Sequence, residues 1–181
     1  TQFTQSLVRP GVGYAITDKL VAWVGYAWAP TAEPLSIAHP FNEHRSWEQL
    51  TWADNFPFGR LSLRSRFEQR FFDHNAPISG SDDVAHRFRQ LVKLAVPIPA
   101  IDPNLSFIVQ SELFIAMNTV DNPAFIARGY DQNRAFAGLG YKINQYATVE
   151  VGYMNQFINR PHSARPDQMM HNFVANLFLN F

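Results

Sequence analysis

RLSLRSRFEQRF, residues 60–71, sets arginine or another polar group at nearly every second position and an apolar residue at most of those between. Such period-two alternation describes a strand with one wet side and one greasy side. On a soluble sheet Leu61, Leu63, Phe67 and Phe71 point into a core and the arginines meet solvent. In a membrane barrel the sides exchange: the apolar set meets lipid, and Arg60, Arg64, Arg66 and Arg70 line a polar interior. The stretch alone fits both, so the rest of the chain must decide.

At 181 residues the chain is long enough for one domain, residues 1–181, with a substantial core. Lys and Arg balance Asp and Glu at 15 each, so no bulk positive charge points to nucleic acid as a partner. The absence of cysteine excludes disulfides and thiolate metal sites. The row starts at Thr1 without a basic and apolar leader, so a secretory signal is expected to have been removed or to lie outside this chain. No run of about 18 apolar residues occurs, which excludes a helical membrane span and leaves a strand-built one open.

Helical periodicity is scarce. Nine strands are predicted instead, over about 4–17, 20–30, 45–56, 60–72, 87–97, 104–118, 130–143, 147–160 and 169–181. Most exceed the about five or six residues usual in soluble sheets, and a tilted strand needs about 9–11 to cross a bilayer. Short connections (Asp18-Lys19, Pro57-Phe58-Gly59, PIPAIDP, Asn144-Gln145) alternate with long, polar ones (TAEPLSIAHPFNEH, DHNAPISGSDDVAH, TVDNPAFIARG, PHSARPDQ). In an up-and-down antiparallel order this collects every long loop at one end, the asymmetry of membrane barrels with long external loops and short periplasmic turns. Pro10 is expected to bulge or break the first strand. Strand glycines are expected where bulky neighbours or curvature need room, and the four tryptophans do not fall on one face.

The last strand sets Phe173, Ala175, Leu177, Leu179 and Phe181 on one face and ends on an aromatic. That pattern resembles the signal by which Gram-negative bacteria recognise outer-membrane barrels, which makes Phe173, Leu177, Leu179 and Phe181 the candidate assembly signal and the barrel-assembly machinery a partner. Nine strands leave an odd count for a closed barrel, so at least one is expected before Thr1, giving about ten, or about twelve if three are missing. The fold class expected is therefore all-β: a transmembrane antiparallel up-and-down β-barrel of about ten strands, with outer-membrane lipid around it.

SLVRPGVGY, FNEHRSWEQLTW, RSRFEQRF, RFRQLVKL, GYDQNRAFAGLGYKI, VEVGYMNQF and HNFVANLFLNF, in this order and spacing, resemble an uncharacterised bacterial family known as domain of unknown function 2490. The resemblance implies a Gram-negative outer-membrane barrel with a cleaved signal. It implies no activity and no catalytic residue, and the start looks trimmed relative to the family's usual amino-terminal strand.

With the polar faces inward, the interior receives Arg9, Arg60, Arg64, Arg66, Arg70, Arg87, Arg89, Lys93, Arg134, Lys142 and Arg160. The acids facing them are chiefly Glu68, Glu112 and Glu150, with Glu48 as a further candidate; Glu33, Glu43, Asp73, Asp82, Asp83, Asp121 and Asp167 are placed in long loops. Arginine suits such a lining because its planar fork binds carboxylate or phosphate in two places and keeps its charge. One reading is a structural ladder that fills a narrow barrel. The other is passage or binding of small anionic solutes, since the excess of cations calls for water or anions. His39, His44, His74, His86, His162 and His171 are expected at the long-loop mouth, but no zinc spacing and no GxSxG motif accompanies them. Neither a metal nor a cofactor is expected. Asp82 and Asp83 with His86 could serve a hydrolase or acyltransferase at that mouth, the alternative function. The remaining alternative, a soluble ligand-binding barrel, needs the two faces inverted.

Overall fold

The structure is a computed structural model that describes residues 6–31, 41–72, 84–120, 126–160 and 166–179. These form one antiparallel sheet in chain order: β1 (Gly11–Ala15), β2 (Leu20–Thr31), β3 (Phe41–Phe56), β4 (Gly59–Phe72), β5 (Val84–Pro97), β6 (Leu105–Ala116), β7 (Gly129–Lys142), β8 (Ala147–Ile158) and β9 (Gln168–Leu179). The expected all-β, up-and-down order is found, with no helix among the described residues. The sheet is not closed: β1 and β9 each pair with one neighbour, not with each other.

Side-chain oxygens organise three of the short connections, from the expected turn residues Asp102 and Asn144 and from Thr17, expected instead to end the first strand. Thr17 Oγ1 accepts from the amides of Lys19 and Leu20. Asp102 Oδ1 accepts from Asn104, and Asn144 Oδ1 from Tyr146 and Ala147. Gly59 closes the β3–β4 turn at φ +145°, a backbone angle that side chains resist. The first strand is shorter than expected. Its ladder breaks at Pro10, which lacks an N–H, yet the Pro10 carbonyl still accepts from Tyr26 and Val8 bridges Trp28 in the same register. Pro10 thus interrupts the strand without bulging it.

The sheet curls so that its charged face is concave. Lys93 on β5 meets Glu150 on β8, and its Nζ lies 5.1 Å from the centre of the Phe178 ring on β9. In a flat sheet those strands would lie about 19 Å apart, four strand spacings, far beyond a lysine's reach. Tryptophans divide by register: Trp23 and Trp47 share the concave side with Gly25 and Arg45, whereas Trp28 and Trp52 lie on the convex side with Leu63. Room for the Trp47 ring comes from Gly11 and Gly25, where an added Cβ would stand 2.5 Å and 2.2 Å from it.

Burial follows the alternation with inverted polarity. Along β4, Arg66, Glu68 and Phe72 are buried, as are Glu43, Arg45 and Trp47 on β3 and Arg89 and Leu91 on β5. The convex face exposes large apolar side chains, among them Val24, Leu50, Val92, Leu139 and Phe173, the last 81% exposed. The opening question therefore has a geometric answer: in residues 60–71 the arginines lie on the buried side.

Candidate functional site

Three carboxylates organise the concave face. Glu68, fully buried on β4, accepts from Arg87 through Oε2 (Nε 3.0 Å, Nη2 2.6 Å) and from Arg89 Nη1 through Oε1 (2.7 Å). Glu112 on β6 takes Arg89 Nη2 at 2.6 Å and Arg64 Nη2 at 2.8 Å, which ties β4, β5 and β6 together across the curl. Glu43 on β3 takes Arg45 (Nε 2.7 Å, Nη2 2.9 Å) and Arg70. A fourth carboxylate, Glu150, pairs with Lys93 and spans β5 to β8. Burying this much charge is tolerable because each carboxylate is paired, and Glu43, Glu68 and Glu112 are multiply hydrogen-bonded.

Aromatic faces take part of the remaining positive charge. Phe114 on β6 lies under three guanidiniums, with the Cζ atoms of Arg89, Arg134 and Arg87 at 4.5, 5.0 and 5.3 Å from its centroid. Arg66 sits 4.2 Å over Trp47, and Arg70 5.3 Å over Phe72. Such contacts are worth up to about 2 kcal/mol where water is excluded. Gln132, with its amide turned to satisfy both ends, accepts from Arg134 Nε (2.6 Å) and from Gln156 (2.9 Å).

The lining expected from sequence is largely gathered here: Arg64, Arg66, Arg70, Arg87, Arg89, Lys93, Arg134, Glu68, Glu112 and Glu150 share the concave face, and Arg9 lies within electrostatic reach of Arg89, Glu68, Arg45 and Arg64. Several positions differ. Glu43 is in β3 and buried rather than in a long loop, because the strand begins at Phe41, and its alternation brings Arg45 inward as well. Glu48 lies on the opposite, convex side, beside Gln69. Arg60 and Lys142 are exposed near the short turns, and Arg160 instead bonds Gln168 (2.6 Å). Asp131 joins the interior through a register shift between Phe114 and Ile115, which leaves it unopposed and 3.8 Å from Arg87.

Sequence reasoning could have found Glu43 and Arg45 by extending the Trp47–Gln49 alternation backward. Phe114 gave no such signal, since an apolar residue at a polar-face position reads as noise until its cations are placed.

The described histidines stand near the long-connection ends of their strands but face the convex side rather than a mouth. His44, His86 and His171 lie within β3, β5 and β9 on the convex side, each against an aromatic ring: Tyr26 at 6.0 Å, Phe67 at 5.7 Å and Tyr153 at 5.9 Å. His39, His74, His162, Asp82, Asp83 and Phe181 lie outside the described residues. Among the described residues no group of three or more His, Asp or Glu side chains is placed to hold a metal.

This arrangement, a concave guanidinium and carboxylate network behind an exposed apolar wall, can be set beside known proteins. The family profile described as "Protein of unknown function (DUF2490)" matches residues 1–168. The chain belongs to this family. An uncharacterised protein of Methylorubrum extorquens is 32% identical over 182 residues, an alignment that takes in 100% of this chain and 75% of the relative. The DUF2490 match stops at the start of β9, whereas the alignment with the relative runs through it.

Proposed function

We propose that this DUF2490 chain forms the wall of a closed outer-membrane β-barrel that binds or passes small anionic solutes through its arginine-rich interior. The observation that carries the reading is the inverted polarity: Glu43, Glu68, Glu112 and Arg89 are at most 5% exposed, while Val24, Leu177 and Phe173 are at least 60% exposed. A sheet in water gains by the reverse arrangement. In lipid, the exposed apolar face costs nothing and the charges need an interior.

Element lengths support the same reading. Eight of the nine strands run 12 residues or more, enough to cross a tilted bilayer. Several aromatics stand near strand ends: Tyr14, Phe56, Phe58, Tyr141 and Tyr146 by the short turns, and Trp28, Tyr130 and Phe157 by the long connections. Rings at those depths match the interfacial girdles of membrane barrels, and Val92, Leu94, Val109, Leu139 and Val151 lie between them, beside polar side chains such as Ser65, Gln90, Ser111 and Asn133 that bond one another in pairs. The edges of β1 and β9 must find partners in lipid, so the barrel is closed, with an even count of about ten strands. Phe173, Leu177 and Leu179 stand exposed on β9, where the barrel-assembly machinery would read them.

The interior is narrow, because its side chains already bond across it. It therefore favours small anions over bulky solutes. Planar-bilayer recordings of the detergent-folded protein test this: small, anion-selective unitary conductance or anion-dependent block is expected. A wide, non-selective or cation-selective pore would overturn the anion reading.

A further inference from the structure

Most donors of the interior meet a carboxylate or an amide oxygen, but one corner keeps three N–H groups unmet. Buried and without a hydrogen-bond partner are Arg9 Nε, Arg66 Nη1 and Trp47 Nε1. Arg66 and Trp47 are each 5% exposed, and the Arg66 guanidinium lies 4.2 Å over the Trp47 ring. Arg66 spends Nε and Nη2 on the neutral oxygen of Gln49, at 2.8 and 2.6 Å. Its nearest carboxylate oxygen, on Glu68, is 3.6 Å from Nη1 and already accepts from Arg89.

Among the charges around Arg66, Arg9 acts most strongly, ahead of Arg89, Arg64 and Glu68. The Trp47 ring packs over Gly11 and against the Pro10 carbonyl side of Gly25, which brings the indole beside the segment that carries Arg9. Two guanidiniums of like charge and an indole N–H thus share a buried corner whose one amide oxygen, on Gln49, is already taken by Arg66, which leaves three N–H groups without an acceptor. An unmet buried donor is unfavourable, and an unmet charged donor more so.

We propose that Arg9, Arg66 and Trp47 form a subsite for a small oxyanion, a carboxylate or an inorganic phosphate, held by three N–H donors. This rests on the anion-binding interior proposed above and gives it a location. Guanidinium forks and an indole N–H supply directional donors suited to oxygen lone pairs, whereas a cation or a neutral amide donor would be refused.

The test uses full-length protein folded in detergent micelles with ¹⁵N-labelled tryptophan indoles, titrated separately with inorganic phosphate and with acetate. The Trp47 indole resonance, assigned by its disappearance in Trp47→Phe, should move saturably with at least one of them. Trp47→Phe keeps a ring beneath Arg66 and should weaken that binding, followed calorimetrically, about tenfold. Arg9→Gln should weaken it at least as much, with heat-modifiable migration unchanged in both. A Trp47 resonance that ignores both anions, its donors met by water alone, overturns the subsite. If anion-selective conductance persists in that case, only the location has failed; if selectivity is absent too, the anion-binding interior falls with it.

Discussion

Glu68 shows how one side chain can decide the polarity of a sheet. It has no exposed surface, and two arginines from the neighbouring strand converge on its two oxygens. Replacing it with Gln leaves Arg87 and Arg89 facing a neutral amide in a buried site, so Glu68→Gln should destabilise the folded protein by about 3–5 kcal/mol in urea unfolding from micelles. Arg60, exposed at the short-turn end of β4, provides the internal comparison: Arg60→Gln should shift stability by no more than about 0.5 kcal/mol. Equal effects would mean that the network does not hold the fold. Phe114→Leu keeps the apolar volume but removes the ring beneath three guanidiniums; a loss of about 1–2 kcal/mol is expected in the same assay.

At the scale of elements, the strand order and short turns were legible because period-two alternation and Asp, Asn and Pro-Phe-Gly turn chemistry are local properties. The side occupied by the arginines was legible too, once strand length and loop asymmetry were weighed with the 60–71 pattern. Glu43 was misplaced because its strand starts inside a stretch whose Pro and His content reads as loop. Asp131 was missed because a register shift is set by the neighbouring strand, which no local pattern reports. A strand-scale experiment separates water from lipid on the convex face. Val92, central in β5, is 43% exposed. In water Val92→Arg would change stability by no more than about 0.5 kcal/mol. Against the middle of a bilayer it should cost about 2–4 kcal/mol, and Tyr141→Arg, next to the short-turn end of β7, only about 0–1. Measured in lipid vesicles, equal small costs at both positions would contradict a lipid-facing wall.

At the scale of the whole molecule, charge pairing and membrane exposure are one problem. A curled sheet that turns guanidiniums and carboxylates to its hollow side leaves an apolar outer surface that water disfavours, and in the proposed bilayer setting its two unpaired edges would need partners. The chain has no native cysteine, so single spin labels can be introduced along residues 61–71 without background. Collision accessibility to oxygen and to a water-soluble nickel chelate, recorded in reconstituted vesicles, reads the environment at each position. Labels at Leu61→Cys, Leu63→Cys, Ser65→Cys and Phe67→Cys should be oxygen-rich and chelate-poor, alternating with low oxygen access at Arg64→Cys and Arg66→Cys. The opposite phase, with Leu63 and Phe67 positions open to the chelate, would contradict the account.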